Sequence, residues 1–153
     1  MRKILIFSIL FLSFLSACNN EEETVKIEDK DFANILYVQK IENNYSSGEL
    51  TKPIEDQEKI REVLTIVEGL KAKRITTDEF IQKLENQDNY YRFGFIGENG
   101  TEKQRDQYAF QVMDDGTIIF NFDQINNPDH PLVTVTAHHE ILEELKDVLG
   151  IQF

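Results

Sequence analysis

The residue types best suited to chemistry gather near the C-terminus. His138, His139, Glu140, Glu143 and Glu144 fall in one short stretch. His139 and Glu143 are spaced i, i+4, so on a helix an imidazole and a carboxylate would sit one turn apart and could share a metal ion. A zinc-protease helix requires His-Glu-x-x-His. Here His139-Glu140-Ile141-Leu142 is followed by Glu143, so that motif is absent. Acids at a helix start are also what the positive end of the helix dipole favours, and a solvated first turn is the simpler account of the cluster. Asp129-His130 lies between Pro128 and Pro131, in a segment that reads as a turn. His130 gains meaning as a third ligand only if the fold brings it to His139. No metal site is assigned at this point, and His139, Glu143 and His130 stand as its candidates.

Other chemistries find less. Beyond Cys18 the serines are Ser46 and Ser47, beside Gly48, and no G-x-S-x-G surrounds them. Gly94, Gly97 and Gly100 flank a hairpin loop rather than a strand-to-helix turn, so they make no phosphate cradle. Carboxylate pairs of the glycosidase kind cannot be singled out in a chain with 28 acids. The sequence therefore points to no catalytic residue, no cofactor and no enzyme. Tyr90, Tyr91, Phe93, Phe95, Phe110, Phe120 and Phe122 form a large aromatic stock that suits a core. Tyr90 is the member expected to face outward and is the candidate for a binding surface.

The N-terminus says where the protein is held. Arg2 and Lys3 precede an apolar run, Ile4 to Leu15, broken by Ser8 and Ser13. This is the n-region and h-region of an export signal, too short for a transmembrane helix of roughly 20 apolar residues. It ends in Leu15-Ser16-Ala17-Cys18, which resembles the lipobox of bacterial lipoproteins. The resemblance implies a signal peptide over residues 1–17, cleavage before Cys18, and a diacylglyceryl group with palmitate-type chains on its thiol. Each buried CH₂ contributes about 0.8 kcal/mol, and two chains hold where one does not. The expected location is the extracytoplasmic face of the cell membrane.

Composition narrows the partners. The chain has 153 residues and a formal charge of −12. Loss of residues 1–17 removes Arg2 and Lys3 and no acid, so the mature charge is −14. Nucleic acid, which requires a basic surface, is excluded as a partner. Cys18 is the only cysteine, so the exported domain has neither disulfide nor free thiol. Residues 18–31, Cys18 followed by a polar acidic run, read as a lipidated tether of about 40 Å when extended, with Thr24 to Ile27 as an alternative edge strand. Residues 32–153 read as one domain.

Periodicity supplies the elements that would position these groups. Phe32 to Ile41 reads as a strand. Ile60, Val63, Leu64 and Val67 mark one face of a helix that begins between Pro53 and Asp56, with Gly69 as its stop. Lys71 to Ile75 reads as a short strand. Thr76 and Glu79 have capping-box spacing for a helix to about Asn86 that buries Phe80, Ile81 and Leu84. Tyr91, Phe93 and Phe95 share one face of a strand. A three-residue loop with Gly116 in the left-handed region pairs Val112 with Ile118, Phe110 with Phe120 and Tyr108 with Phe122, which segregates the faces of a hairpin. Leu132 to Thr136 reads as a strand and Ala137 to Leu149 as the last helix, ended by Gly150. The expected fold is α+β: an antiparallel sheet of about five strands with helices packed mainly on one face, chiefly the first and the last.

This order of elements, from Ile35 to Phe122, resembles that of the YhfM-like small lipoproteins of Bacillus-type bacteria. The resemblance implies an extracytoplasmic lipoprotein domain and carries over no functional residue. The function expected is a membrane-anchored binding or accessory module of the cell envelope, facing an envelope protein or a small ligand. Two alternatives remain open: an acidic inhibitor or immunity-type protein against a cationic envelope-active enzyme, and a metal-binding protein or metal-dependent enzyme using His139 and Glu143.

Overall fold

Alternating aromatic residues make the centre of the fold. The computed structural model describes residues 22–97, 108–122 and 131–153. Tyr91, Phe93 and Phe95 point to one side of β5 (Asn89–Ile96), which pairs antiparallel with β6 (Tyr108–Met113) so that Phe93 lies opposite Phe110 and Tyr91 opposite Val112. β6 returns into β7 (Ile118–Phe122) with Phe110 opposite Phe120 and Val112 opposite Ile118. These two pairs are the ones the three-residue loop requires. The rings of Phe93 and Phe110 stack with centroids 4.8 Å apart, and Phe120 tilts against Phe110 at 5.7 Å. All three are fully buried; truncating one such ring to alanine typically costs about 3–5 kcal/mol. The third expected pair is displaced: Phe122 lies opposite Ala109, not Tyr108, because the ladder shifts register between Ala109 and Phe110. Such a shift leaves a residue unpaired and increases local twist. Tyr108 still enters the core, edge-on to Phe95 at 5.5 Å.

The sheet is wider than the sequence suggested. With β1 (Glu22–Thr24), β2 (Ile35–Glu42), β3 (Thr51–Ile54), β4 (Lys71–Arg74) and β8 (Leu132–Thr134), the described residues form one eight-stranded sheet in the order β1-β4-β8-β7-β6-β5-β2-β3. Every neighbouring pair is antiparallel. The strands missed were the edges. β3 contains Pro53, which resembles a helix start but is tolerated in a strand when that strand is an edge, and β3 is one. The first helix, α1 (Gln57–Val67), accordingly starts at the late end of the expected range. Asp56 caps it, accepting hydrogen bonds from the backbone N–H groups of Glu58 and Lys59.

The other edge corrects the tether. Residues 22–31 belong to the domain: β1 pairs with β4, and Val25 and Ile27 are buried in the main core. Val25 exchanges backbone hydrogen bonds with Leu70 and Gly69, each at 2.9 Å. The alternative of an edge strand at Thr24 to Ile27 comes close: the strand itself is Glu22–Thr24, and beyond it Val25 and Ile27 point inward with Lys26 and Glu28 outward.

Two cores flank the sheet. The larger takes Ile60, Val63, Leu64 and Val67 from α1 and Ile141, Leu145 and Leu149 from α3 (His139–Leu149). The smaller, of Ile75, Met113, Ile119 and Val133, lies on the opposite side of the strands and is met by Phe80 and Leu84 of α2 (Thr77–Glu85). The capping box is formed: Thr76 accepts from Glu79 N–H, and Thr76 N–H donates to Glu79 Oε2 at 2.8 Å. The burial expected of α2 is not. None of its residues is fully buried, and Ile81 is 46% exposed, because only the edge of this helix leans on a small apolar patch.

Glu68, just after α1, locks the N-terminal segment. Its Oε1 accepts from Ile27 N–H at 3.3 Å and its Oε2 from Lys30 Nζ at 2.7 Å. The Lys30 hydrogen bond first, and the Ile27 N–H second, hold this carboxyl below its ordinary 4.5. A depressed carboxylate stabilises the fold above its unfolded pKa, and that contribution is lost as pH falls through the folded value. Proteolytic or hydrogen-exchange protection of residues 25–31 is therefore expected to be constant above pH 4.5 and to fall at more acidic pH. In Glu68→Gln this step should be absent, which side-by-side pH series of hydrogen exchange would show.

Candidate functional site

The β6–β7 turn is the point on which the site is built. Gly116 N–H donates to Met113 O at 3.0 Å, Met113 N–H donates to Thr117 O at 2.8 Å, and Asp115 Oδ1 accepts from Thr117 N–H at 2.9 Å. Gly116 has φ +78, the left-handed region that a side chain disfavours. It also has no room for one: a Cβ there would lie 2.8 Å from the backbone nitrogen of His139 and 2.9 Å from that of His138. The turn thus abuts the start of α3, and His138 N–H donates to Gly116 O at 2.7 Å.

On the other side of the turn is a cavity of about 170 Å³ between the hairpin and the C-terminal end of α2. Its apolar floor is Met113 and Ile119, both buried members of the small core. The rest of its lining is polar: Asp115 and Thr117 from the turn, Lys83 from α2, Asn86 at its C-cap and Gln87 just beyond. The site is held by backbone hydrogen bonds rather than by loose side chains. Asn86 N–H donates to Gln82 O, and Gln87 N–H donates to Leu84 O.

The residues singled out in the sequence fall elsewhere or beside it. His139 is exposed, with its Nδ1 3.0 Å from where a Gly116 Cβ would stand. Glu143 accepts from Lys146 Nζ at 3.3 Å, so its recorded partner is a lysine one turn away rather than His139. His138, not His139, makes the ring contacts, to Thr136 Oγ1 at 3.2 Å and Glu140 Oε1 at 3.4 Å. A hydrogen bond from its own backbone N–H at the helix start, and then His138, hold the Glu140 carboxyl below its ordinary value. Among the described residues no three His, Cys, Asp or Glu converge to hold a metal ion. His130 and Cys18 lie outside the described residues. Tyr90, expected to face outward, lies on the face away from the main core and is half-buried there: it is opposite Met113 and Ile41 and leans on the small core.

Sequence reasoning missed Lys83, Asn86, Gln87, Asp115 and Thr117 as a group. The turn was legible, and so was the helix, but only the placement of α2 across the sheet brings their ends together. Gln111 was also missed. It is 4% exposed, lies opposite Ile119 in register, and its Oε1 is buried with no hydrogen-bond partner among the described residues. No described helix is long and apolar enough to cross a membrane. Among the described residues the exposed large hydrophobics are Tyr45 and Ile81, too scattered to form a broad apolar patch.

Comparison with protein-family models, curated proteins and solved structures found no match for this chain.

Two substitutions test the site's construction. Gly116→Ala adds left-handed strain and a clash with backbone, and should cost about 2 kcal/mol or more, read as a drop in thermal midpoint. Gln111→Met removes an unpaired buried carbonyl at similar volume and should be neutral or stabilise by about 1 kcal/mol, read by denaturant titration.

Proposed function

We propose that this chain is a lipid-anchored binding module on the extracytoplasmic face of a bacterial membrane, and that its folded domain acts through the cleft between α2 and the β6–β7 turn. The anchor rests on Arg2-Lys3, the apolar run to Leu15 and Leu15-Ser16-Ala17-Cys18. The observation that carries the binding role is the cleft itself, in which hydrogen-bonding groups from two separate elements converge over an apolar floor. The cleft is smaller and more polar than the usual drug-sized pocket, but apolar surface beside a few hydrogen-bonding residues is still what buries and orients a small molecule. A docking role through a large apolar surface has less support, because the exposed large hydrophobics among the described residues are isolated. No catalytic role is proposed.

Metabolic labelling with an alkyne-bearing fatty acid, followed by membrane fractionation, tests the anchor. The wild-type chain should carry label and sediment with membranes. Cys18→Ala should carry none and should accumulate as uncleaved precursor or be released. An unlabelled wild-type chain, or a Cys18→Ala chain labelled as strongly as wild type, would remove the lipoprotein reading.

A further inference from the structure

The charges around the cleft select its ligand. Lys83 of α2 supplies one cation to the lining and Asp115 of the turn one anion; the other polar residues there, Asn86, Gln87 and Thr117, are neutral. The lining is therefore locally balanced in a chain whose formal charge is −12. A divalent cation would need several oxygen ligands of like charge, and a phosphate-like anion would need several donors of positive character. Neither set is present. A molecule carrying both charges at once, an ammonium for Asp115 and a carboxylate for Lys83, leaves neither wall uncompensated.

Size sets a second limit. A cavity of about 150 Å³ accepts a six-carbon ring, so about 170 Å³ suits a molecule of roughly six to nine non-hydrogen atoms. The cleft is half open to solvent, so this volume limits the part of a ligand that it encloses. The floor of Met113 and Ile119 offers a surface for a short aliphatic group.

From these facts we propose that the cleft binds a free α-amino acid with a small aliphatic side chain. The ammonium pairs with Asp115, the carboxylate with Lys83, the amides satisfy remaining lone pairs and protons, and the side chain rests on Met113 and Ile119. This proposal deepens the binding role above and rests on it for the location of the site, but not on the lipid anchor.

The test is calorimetric titration of the full chain in detergent with alanine, valine and leucine, together with their N-acetyl and carboxamide derivatives. At least one free amino acid should bind saturably. Blocking either charged end should weaken binding about tenfold or more, as expected for losing a charge-assisted hydrogen bond. Asp115→Asn retains the oxygen that accepts from Thr117 N–H and so preserves the turn; it and Lys83→Gln should each weaken binding by a similar factor while leaving the thermal midpoint of the unliganded protein unchanged. Binding of the N-acetyl forms as tight as the free forms, unaltered binding by both variants, or no heat with any free amino acid would overturn the proposal. If the fatty-acid labelling of Cys18 succeeds while these titrations fail, the ligand class is wrong and the anchored-module reading survives. If labelling fails while titration succeeds, the reverse holds.

Discussion

The approach of Gly116 to the start of α3 is the contact on which the arrangement depends. Its carbonyl accepts from His138 N–H at 2.7 Å, and its missing side chain lets the turn lie against the backbone of His138 and His139. The far end of the same helix is also tied to the sheet. Gly150, at φ +62, ends α3, and Ile151 N–H donates to Lys146 O at 3.0 Å, closing the helix in a Schellman-type cap. Lys52 of β3 then donates through Nζ to the carbonyls of Leu149 and Gly150, and Tyr91 OH donates to Phe153 O at 2.6 Å. One helix is thus fastened at both ends, and the turn that fastens its start forms one wall of the cleft.

The two faces of the sheet are packed unequally. The larger core carries the stacked aromatic rings, α1 and α3, and most of the buried area that a chain without disulfides must rely on. The opposite face carries four buried apolar residues and one leaning helix. A helix that rests on so small a patch cannot close over the strands, and the gap at its C-terminal end is the cleft. The buried Gln111, with its unpaired Oε1, lies on this thinner face as well. Polar groups are accommodated where packing is thin, which is where ligand sites are commonly found.

The sequence made the centre of this fold legible and its margins opaque. Tyr91, Phe93 and Phe95 alternate strictly, and face segregation was enough to select the register that pairs Phe110 with Phe120. Thr76 and Glu79 announced their helix through a local rule, and Gly150 its helix end. The edges failed for a shared reason: an edge strand is defined by the neighbour it pairs with, and neither Pro53 nor the acidic Glu22–Thr24 segment carries that information locally. The cleft was illegible on the same ground. Lys83 and Asp115 are far apart in the chain, each sits in a plain polar context, and only the side of the sheet taken by α2 joins them. The His139–Glu143 pair misled in the opposite direction. Helical spacing put the two side chains within reach, but Lys146, three residues from Glu143, is the partner the structure gives it.

A fixed wall for the cleft requires the β6–β7 turn to be part of the rigid framework rather than an independent loop. Native-state hydrogen exchange of the Gly116 and His138 amides, compared with Val112 in the centre of β6, measures this directly, since amides that share a cooperative unit share an opening free energy. The predicted result is that Gly116 and His138 open with the same free energy as Val112 across denaturant concentration. Rapid exchange at Gly116 and His138 while Val112 stays protected would show a turn that detaches on its own, and a cleft without a fixed wall.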